Sequence, residues 1–253
     1  VDWDYYDCAF SLNLQSRNSA GLPRQIILMK FTFYGHACFS IETGGKKLLF
    51  DPFIKGNELA KNIDINKIEA DYILVSHGHA DHVGDLLEIA LRTGATVISS
   101  YEVVGWAQKH LVKNVHPMNF GPFNFEFGKL HYLPAWHSSS MPDGGYGGNP
   151  GGFLLQAEEG NFYYSGDTCL MMDMQLIPRY AKLDFAILPI GGNFTMDADD
   201  AVIAADFIKC NKIIGVHFDT FGYIKINHEE AKKKFNAAGK ELILPDIGET
   251  IIL

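Results

Sequence analysis

Positive charge is scarce in this chain: 21 lysines and arginines face 30 aspartates and glutamates, a formal charge of -9. That balance argues against broad attraction to a nucleic-acid polymer or an anionic lipid surface, and leaves room for a local anion site. No apolar run approaches the ~20 residues needed to cross a bilayer, so no membrane partner is expected. The four cysteines, Cys8, Cys38, Cys169 and Cys210, are scattered without a C-x-x-C pair. This excludes a disulfide-stapled secreted module and suits reduced thiols in a cytoplasm. No proline-rich, serine-rich or single-charge stretch interrupts the 253 residues, 47% of them apolar and 20% charged. One globular domain is therefore expected.

The N-terminus lacks the basic-then-apolar order of a signal peptide, since Val1-Asp-Trp-Asp-Tyr-Tyr-Asp is acidic. Residues 1–28 are read as an upstream extension or a docked arm, because Trp3, Tyr5, Tyr6 and Phe10 carry apolar area that could cover something. The same arm is the one hint of a homo-oligomer. The domain itself is expected over 29–253.

What the chain does have is a series of short β-branched and aromatic runs. Ile26–Tyr34, Cys38–Glu42 and Lys47–Phe50, separated by Gly35-His36 and Thr43-Gly44-Gly45, read as hairpin strands. Asp71–Ser76 reads as a buried strand, Asp85–Arg92 as a helix closed by Gly94, Ala95–Ser99 as a strand and Glu102–Val112 as a helix. A second set of strands is predicted at Phe123–Phe127, Lys129–Leu133, Phe153–Ala157 and Phe162–Ser165. Between them, glycine-rich Ser138–Gly152 reads as a mobile loop outside the core. Helical spacing at Met171–Tyr180, Ala198–Ile208 and Glu229–Ala238 alternates with strands at Phe185–Leu188, Lys212–Val216, Leu242–Leu244 and Thr250–Leu253. The order suits an α+β fold of two packed mixed β-sheets flanked by helices.

The densest chemical signal is His77-Gly78-His79-Ala80-Asp81-His82, directly after a buried strand. Imidazole and carboxylate suit Zn, Mn, Fe or Ni, and burying several together without a cation would leave polar groups unsatisfied. In extended backbone His77 and His79 share a side, whereas His82 has the opposite parity. One ion cannot readily take all three, so two divalent ions are expected, with His77 and His79 on one and Asp81 and His82 on the other. Further ligands are available where other apolar runs end, at His137, Asp167 and His217. His110, His116, His131 and His228 are read as surface or satisfied core residues.

These motifs resemble the metallo-β-lactamase superfamily, and within it the UlaG-like branch that includes the UPF0173 metal-dependent hydrolases. The resemblance runs from Met29 to Leu253. It is carried by Phe33-Tyr34-Gly35-His36-Ala37-Cys38-Phe39, Leu49-Phe50-Asp51-Pro52, the histidine run, Ala135-Trp136-His137-Ser138-Ser139, Ser165-Gly166-Asp167-Thr168, the stretch from Leu188 to Met196, and His217-Phe218-Asp219-Thr220-Phe221. It implies an αββα sandwich, with His77, His79 and His137 on one ion, Asp81, His82 and His217 on the other, and Asp167 bridging.

The resemblance also implies that Asp51 supports a ligand imidazole from behind, the alternative being a turn residue before Pro52. It puts His36 near the metals, as an extra contact or a substrate-binding group that donates to the leaving oxygen, and Gly191, Gly192, Asn193 and Thr195 in a loop beside the substrate. The expected reaction is hydrolysis by water activated between two ions, oriented by Asp81 or Asp167. The implied substrate is a small anion: a phosphodiester, including a cyclic nucleotide, or a phosphorylated lactone. The rival is a diiron oxygen reductase of the same fold, which typically carries glutamate where His79 stands; His79 and the short chain both disfavour it.

Overall fold

Alternate side chains of the opening hairpins enter different cores. β1 (Lys30–Gly35), β2 (Cys38–Thr43) and β3 (Lys46–Phe50) pair antiparallel. In β2, Phe39 and Ile41 join one apolar cluster and Cys38 another; in β3, Leu48 and Phe50 face one way and Leu49 the other. Side chains alternate across a strand, so this sheet needs a cover on each face. The computed structural model, which describes residues 29–253, shows both covers. The N-terminal arm lies outside the described residues.

The first sheet continues in parallel through β4 (Tyr72–Leu74), β5 (Thr96–Ser100) and β6 (Val115–Met118). Helices α1 (Ala80–Val83), α2 (Leu86–Thr93) and α3 (Tyr101–Lys109) join these strands. The second sheet follows the same plan. β7 (Pro122–Phe125), β8 (Gly128–Pro134), β9 (Gly151–Gln156) and β10 (Asn161–Tyr164) are antiparallel, then β11 (Phe185–Pro189), β12 (Lys212–Val216) and β13 (Glu241–Ile243) add in parallel. Its helices are α4 (Ile177–Tyr180), α5 (Ala198–Phe207) and α6 (His228–Ala237). Finally β14 (Thr250–Ile252) returns to β1. The strand orders are β14-β1-β2-β3-β4-β5-β6 and β13-β12-β11-β10-β9-β8-β7.

Between the sheets lies an aromatic core in which Phe39, Phe50, Phe153, Phe162 and Tyr164 are all fully buried. Phe50 sits 6.1 Å from Phe153 and 5.9 Å from Phe162, ring centre to ring centre, and so ties one sheet to the other. The helices cover the outer faces, giving the expected αββα sandwich. Ala201, Ala204 and Ala205 let α5 lie close over Leu188 and Ile213. No helix among the described residues is long and apolar enough to cross a membrane.

Several local expectations need correction. The strand expected over Asp71–Ser76 pairs only at Tyr72–Leu74, and the chain runs on towards the site with Val75 N–H still bonded to Ile98 O (3.0 Å). The helix expected over Met171–Tyr180 is a 3₁₀ turn, Met172–Leu176, followed by the single turn of α4. Pro178, which has no N–H to donate, sits at its start. β6 was not foreseen because Pro117 interrupts it; proline is tolerated there because the strand is at a sheet edge. The Ser138–Gly152 stretch is largely exposed, as expected of a loop, but it is pinned at Met141 and Gly147. Met141 is buried in the helix-side core, its N–H donates to Gly145 O (2.8 Å), and Gly147 N–H donates to Ser139 O (3.1 Å). Its glycines allow that closeness, since a Cβ on Gly147 would stand 2.4 Å from Ser139 Oγ.

Asp85 anchors the loop that follows β3. It is buried, and its Oδ2 accepts from the backbone N–H of Ile54 (2.6 Å) and Lys55 (3.0 Å). Asp85→Ala should leave those donors unpaired and cost about 2 kcal/mol, lowering Tm by roughly 4–8 °C. Thermal and urea unfolding would check this, and an unchanged Tm would refute the anchoring role.

Candidate metal centre

The functional groups gather at one end of the sandwich because each follows the end of a strand. β4 leads to His77, β8 to His137, β10 to Asp167 and β12 to His217, while His36 lies in the β1–β2 turn and Asp51 just after β3. After β4 the chain bends at Ser76, is extended at His79, the residue before α1, and then makes one helical turn in which His82 N–H donates to His79 O (2.9 Å). That turn brings the His82 ring to 4.2 Å from that of His77. Three of these residues, His36 (φ 55), Asp51 (φ 41) and His217 (φ 57), have left-handed backbone. Such conformations are strained, of order 1 kcal/mol or more each, and are concentrated at functional sites.

The side chains form groups whose ligand-type atoms lie within 4.8 Å of one another: His77, His79 and His137; His36, Asp81, His82 and His217; and His77, His82 and Asp167. Asp167 Oδ2 is the meeting point, 2.9 Å from His217 Nε2, 3.3 Å from His82 Nε2 and 3.6 Å from His137 Nε2. The groups overlap, since His77 and His82 each belong to two of them, and together they contain every ligand that the resemblance implies, with His36 added.

Asp51 organises the floor. Fully buried, its Oδ1 accepts from Ser76 N–H (2.7 Å), and its Oδ2 accepts from Ser76 Oγ (2.7 Å), Tyr164 OH (2.5 Å) and His82 Nδ1 (2.9 Å). Ser76 Oγ also lies 2.9 Å from His77 Nδ1. A hydroxyl that donates to Asp51 can only accept from His77. One carboxylate thereby places the Nδ1 proton on both His77 and His82 and turns both Nε2 lone pairs towards the site. A turn role alone would not require four donors.

A cation suits this donor set. Among the described residues, the buried polar atoms without a hydrogen-bond partner include His82 Nε2, Asp167 Oδ1 and His217 Nδ1. Buried groups of this kind ordinarily have partners, and imidazole with carboxylate is the ligand chemistry of Zn, Mn, Fe and Ni.

The comparisons agree. A family model for the β-lactamase superfamily domain matches residues 30–217. A UPF0173 metal-dependent hydrolase of Flavobacterium johnsoniae is 58% identical over 226 residues, 89% of this chain and 100% of that protein. One from Christiangramia forsetii is 55% identical over 227 residues, with the same coverage of 89% and 100%. The solved structure of a metallo hydrolase from Ignicoccus hospitalis, 32% identical, superposes with a TM-score of 0.80 over 90% of this chain and 99% of that one. This chain belongs to the UPF0173 metal-dependent hydrolases.

In this hydrolase burial keeps most of the imidazoles neutral, the state that ligation needs. It lowers the pKa of His77, His79 and His137, and that of His36 to about 4. His82 differs: burial opposes its charge, but Asp167, Asp51 and Asp81 outweigh burial and hold its pKa well above the usual value. Burial likewise opposes ionisation of Asp167 and Asp81. His217 and His82 nevertheless hold Asp167 low, and His82 and His36 hold Asp81 low. The three carboxylates around His82 thus form a place that attracts positive charge, whether a proton or a metal ion.

His36 lies beside the candidate ligands, as one of its two expected alternatives has it, and it is the other alternative, a donor to the leaving oxygen, that changes, together with the reading of the 191–195 loop. His36 does not face the cavity: its side chain is fully buried, with Nε2 on Asp81 Oδ2 (3.0 Å) and Nδ1 on Thr220 Oγ1 (3.0 Å). It is placed to hold Asp81, not to protonate a leaving group. Gly191, Gly192, Asn193 and Thr195 do not line the cavity either; Phe194 is the residue of that loop that does. Gly191 serves the chain, since a Cβ there would stand 2.2 Å from His217 O.

Of the four histidines set aside, none joins the site. His228 Nε2 pairs with Asp219 (2.7 Å), but His131 is buried with Nε2 unpartnered, so it is not a satisfied core residue. Sequence reasoning missed Ser76, Tyr164, Thr220 and the aromatic cavity wall. Ser76 and Tyr164 are flush with motif residues, and only the hydrogen bonds distinguish them from ordinary strand residues.

Asp51→Asn should weaken divalent-metal affinity by about 10–100-fold while the fold persists by circular dichroism; unchanged affinity in a metal titration would remove Asp51 from its supporting role. Because ligation must displace the His82 proton, metal affinity should fall as pH is lowered and uptake should release protons. Calorimetry in buffers of different ionisation enthalpy would register this, and proton-free uptake would argue that His82 is not a ligand.

Proposed function

We propose that this hydrolase uses a dinuclear centre to cleave a phosphodiester or a lactone. His77, His79 and His137 would hold one divalent ion, Asp81, His82 and His217 the other, with Asp167 between them. The observation that carries this reading is the position of Asp167 Oδ2, within 3.6 Å of imidazoles from both sets. Zn or Mn fits the donor set best among the metals it can take, and Fe or Ni is compatible. Bound ions would supply Lewis acidity, lowering the pKa of water and polarising the bond under attack.

The chain's own residues do the positioning. Asp51 fixes the tautomers of His77 and His82. His36, anchored on Thr220, holds Asp81. Asp81 lines the cavity with its side chain 26% exposed, whereas Asp167 is 3% exposed, so of the two Asp81 is the more open to accept a hydrogen bond from the attacking water and orient it. The UlaG-like motifs support a small anionic substrate ahead of a β-lactam. The diiron alternative is disfavoured by His79, which stands where such proteins typically carry glutamate.

Metal analysis should find two equivalents per chain, and Asp167→Ala should lose metal and at least about 100-fold in kcat/KM. Phosphodiesters, including cyclic nucleotides, and lactones should be assayed side by side with Zn or Mn added. Full activity with a single equivalent, or full two-metal occupancy and activity in Asp167→Ala, would overturn the dinuclear assignment.

A further inference from the structure

The cavity over the site, about 940 Å³, is too large for a scissile group alone and is the size that holds a drug-sized molecule. Its wall is aromatic. Phe53 follows β3, Phe194 follows β11, and Phe221 and Tyr223 follow β12, so three separate loops converge on one apolar surface. Phe53 and Phe221 pack at 5.6 Å and 5.3 Å from His36, ring centre to ring centre, and 6.4 Å from each other. Phe194 and Tyr223 form the rim as an edge-to-face pair at 6.2 Å.

The lower pair shields His36, but the rim shields nothing. Phe194 is 50% and Tyr223 79% exposed. Exposed apolar rings grouped around a cavity mark a binding surface. The cavity opens on Asp81, Asp167, His79, His137 and His217, which makes a substrate the natural occupant.

Charge sharpens this. No lysine or arginine lines the cavity among the described residues, and the charged groups that do are the carboxylates Asp81 and Asp167. Away from the ions, a second anionic group on a substrate would find no counter-charge, and desolvating it against phenyl rings would be costly. Resting on the dinuclear reading above, we infer that Phe53, Phe194, Phe221 and Tyr223 bind an uncharged apolar or aryl group of the substrate. The preferred substrate is then a diester or lactone whose only anionic or polarised group is the one being cleaved. A lactone bearing a separate phosphate is a poor fit.

Phenylphosphonate and methylphosphonate share one anionic head and differ in the aryl group, so they probe the wall without turnover. On the metal-loaded full chain, calorimetry should find phenylphosphonate roughly 10-fold tighter or more, with a negative heat-capacity change. The advantage should shrink at least several-fold in the Phe194→Ala/Tyr223→Ala double variant, which keeps Phe53 and Phe221 and whose metal content should be unchanged because both side chains lie at the rim. In turnover, aryl or alkyl diesters and lactones should exceed phosphorylated lactones in kcat/KM by a similar factor, and Tyr223→Lys should narrow that gap.

Equal binding of the two phosphonates, or an aryl advantage undiminished in the double variant, overturns the inference. So does a double variant that changes only oligomeric state in sedimentation, which would assign the rim to a second copy of the chain. An aryl advantage in binding with no turnover of any diester or lactone would instead refute the proposed reaction and leave the apolar subsite standing.

Discussion

One buried carboxylate sets the geometry on which the site depends. Asp51 takes four hydrogen bonds within the sandwich, from Ser76 twice, Tyr164 and His82. A carboxyl group fully removed from water is tolerated only when its lone pairs are met by donors. The donors come from both sheets: Ser76 extends β4, whereas Tyr164 ends β10. The bond that lets Asp51 stay buried therefore also fixes how the two sheets sit against each other at the site. It further sets the tautomers of His77 and His82, one from each ligand group. Fold and chemistry share this residue, which explains how Asp51 can hold a left-handed backbone without glycine's freedom.

The sandwich supplies the remaining constraint. Its aromatic interior is close-packed and fixes the strand ends, and the site is assembled from those ends. His137, Asp167 and His217 are far apart in sequence, yet converge because β8, β10 and β12 lie in one sheet and the histidine run leaves the other. Rigid strands aim side chains, while the loops beyond them are free to form the cavity wall. That division separates the polar floor, carried by strand ends, from the aromatic wall, carried by loops after β3, β11 and β12.

Electrostatics then distinguish the two parts. The floor concentrates carboxylates around His82 in a chain that is already acidic, so it attracts cations and repels anions until a cation is in place. The wall offers no fixed charge to compensate. Any anionic specificity must come through the centre itself, and selectivity among anions must come from shape and apolar contact.

Fold class, the strand-then-helix plan of both halves and the residue types of the centre were legible in the order of residues along the chain. These follow from local physics: alternating apolar side chains, glycine turns and an unusual density of imidazole beside carboxylate. Parity in an extended chain sets His82 apart from His77 and His79, but only the fold shows the His82 ring 4.2 Å from that of His77. Only tertiary structure decided the rest. Pro117 hid an edge strand, Pro178 shortened a helix, and Met141 pinned an otherwise exposed glycine-rich loop to the core. Whether Asp51 was a turn residue or a support depended on Ser76, Tyr164 and His82 reaching it from three other segments. His36 became a support for Asp81 through Thr220, a residue 184 positions away. The glycines of the 191–195 loop turned out to face the chain, leaving Phe194 to face the cavity. Each of these depends on contacts between distant segments, and neither local periodicity nor residue type carries that information.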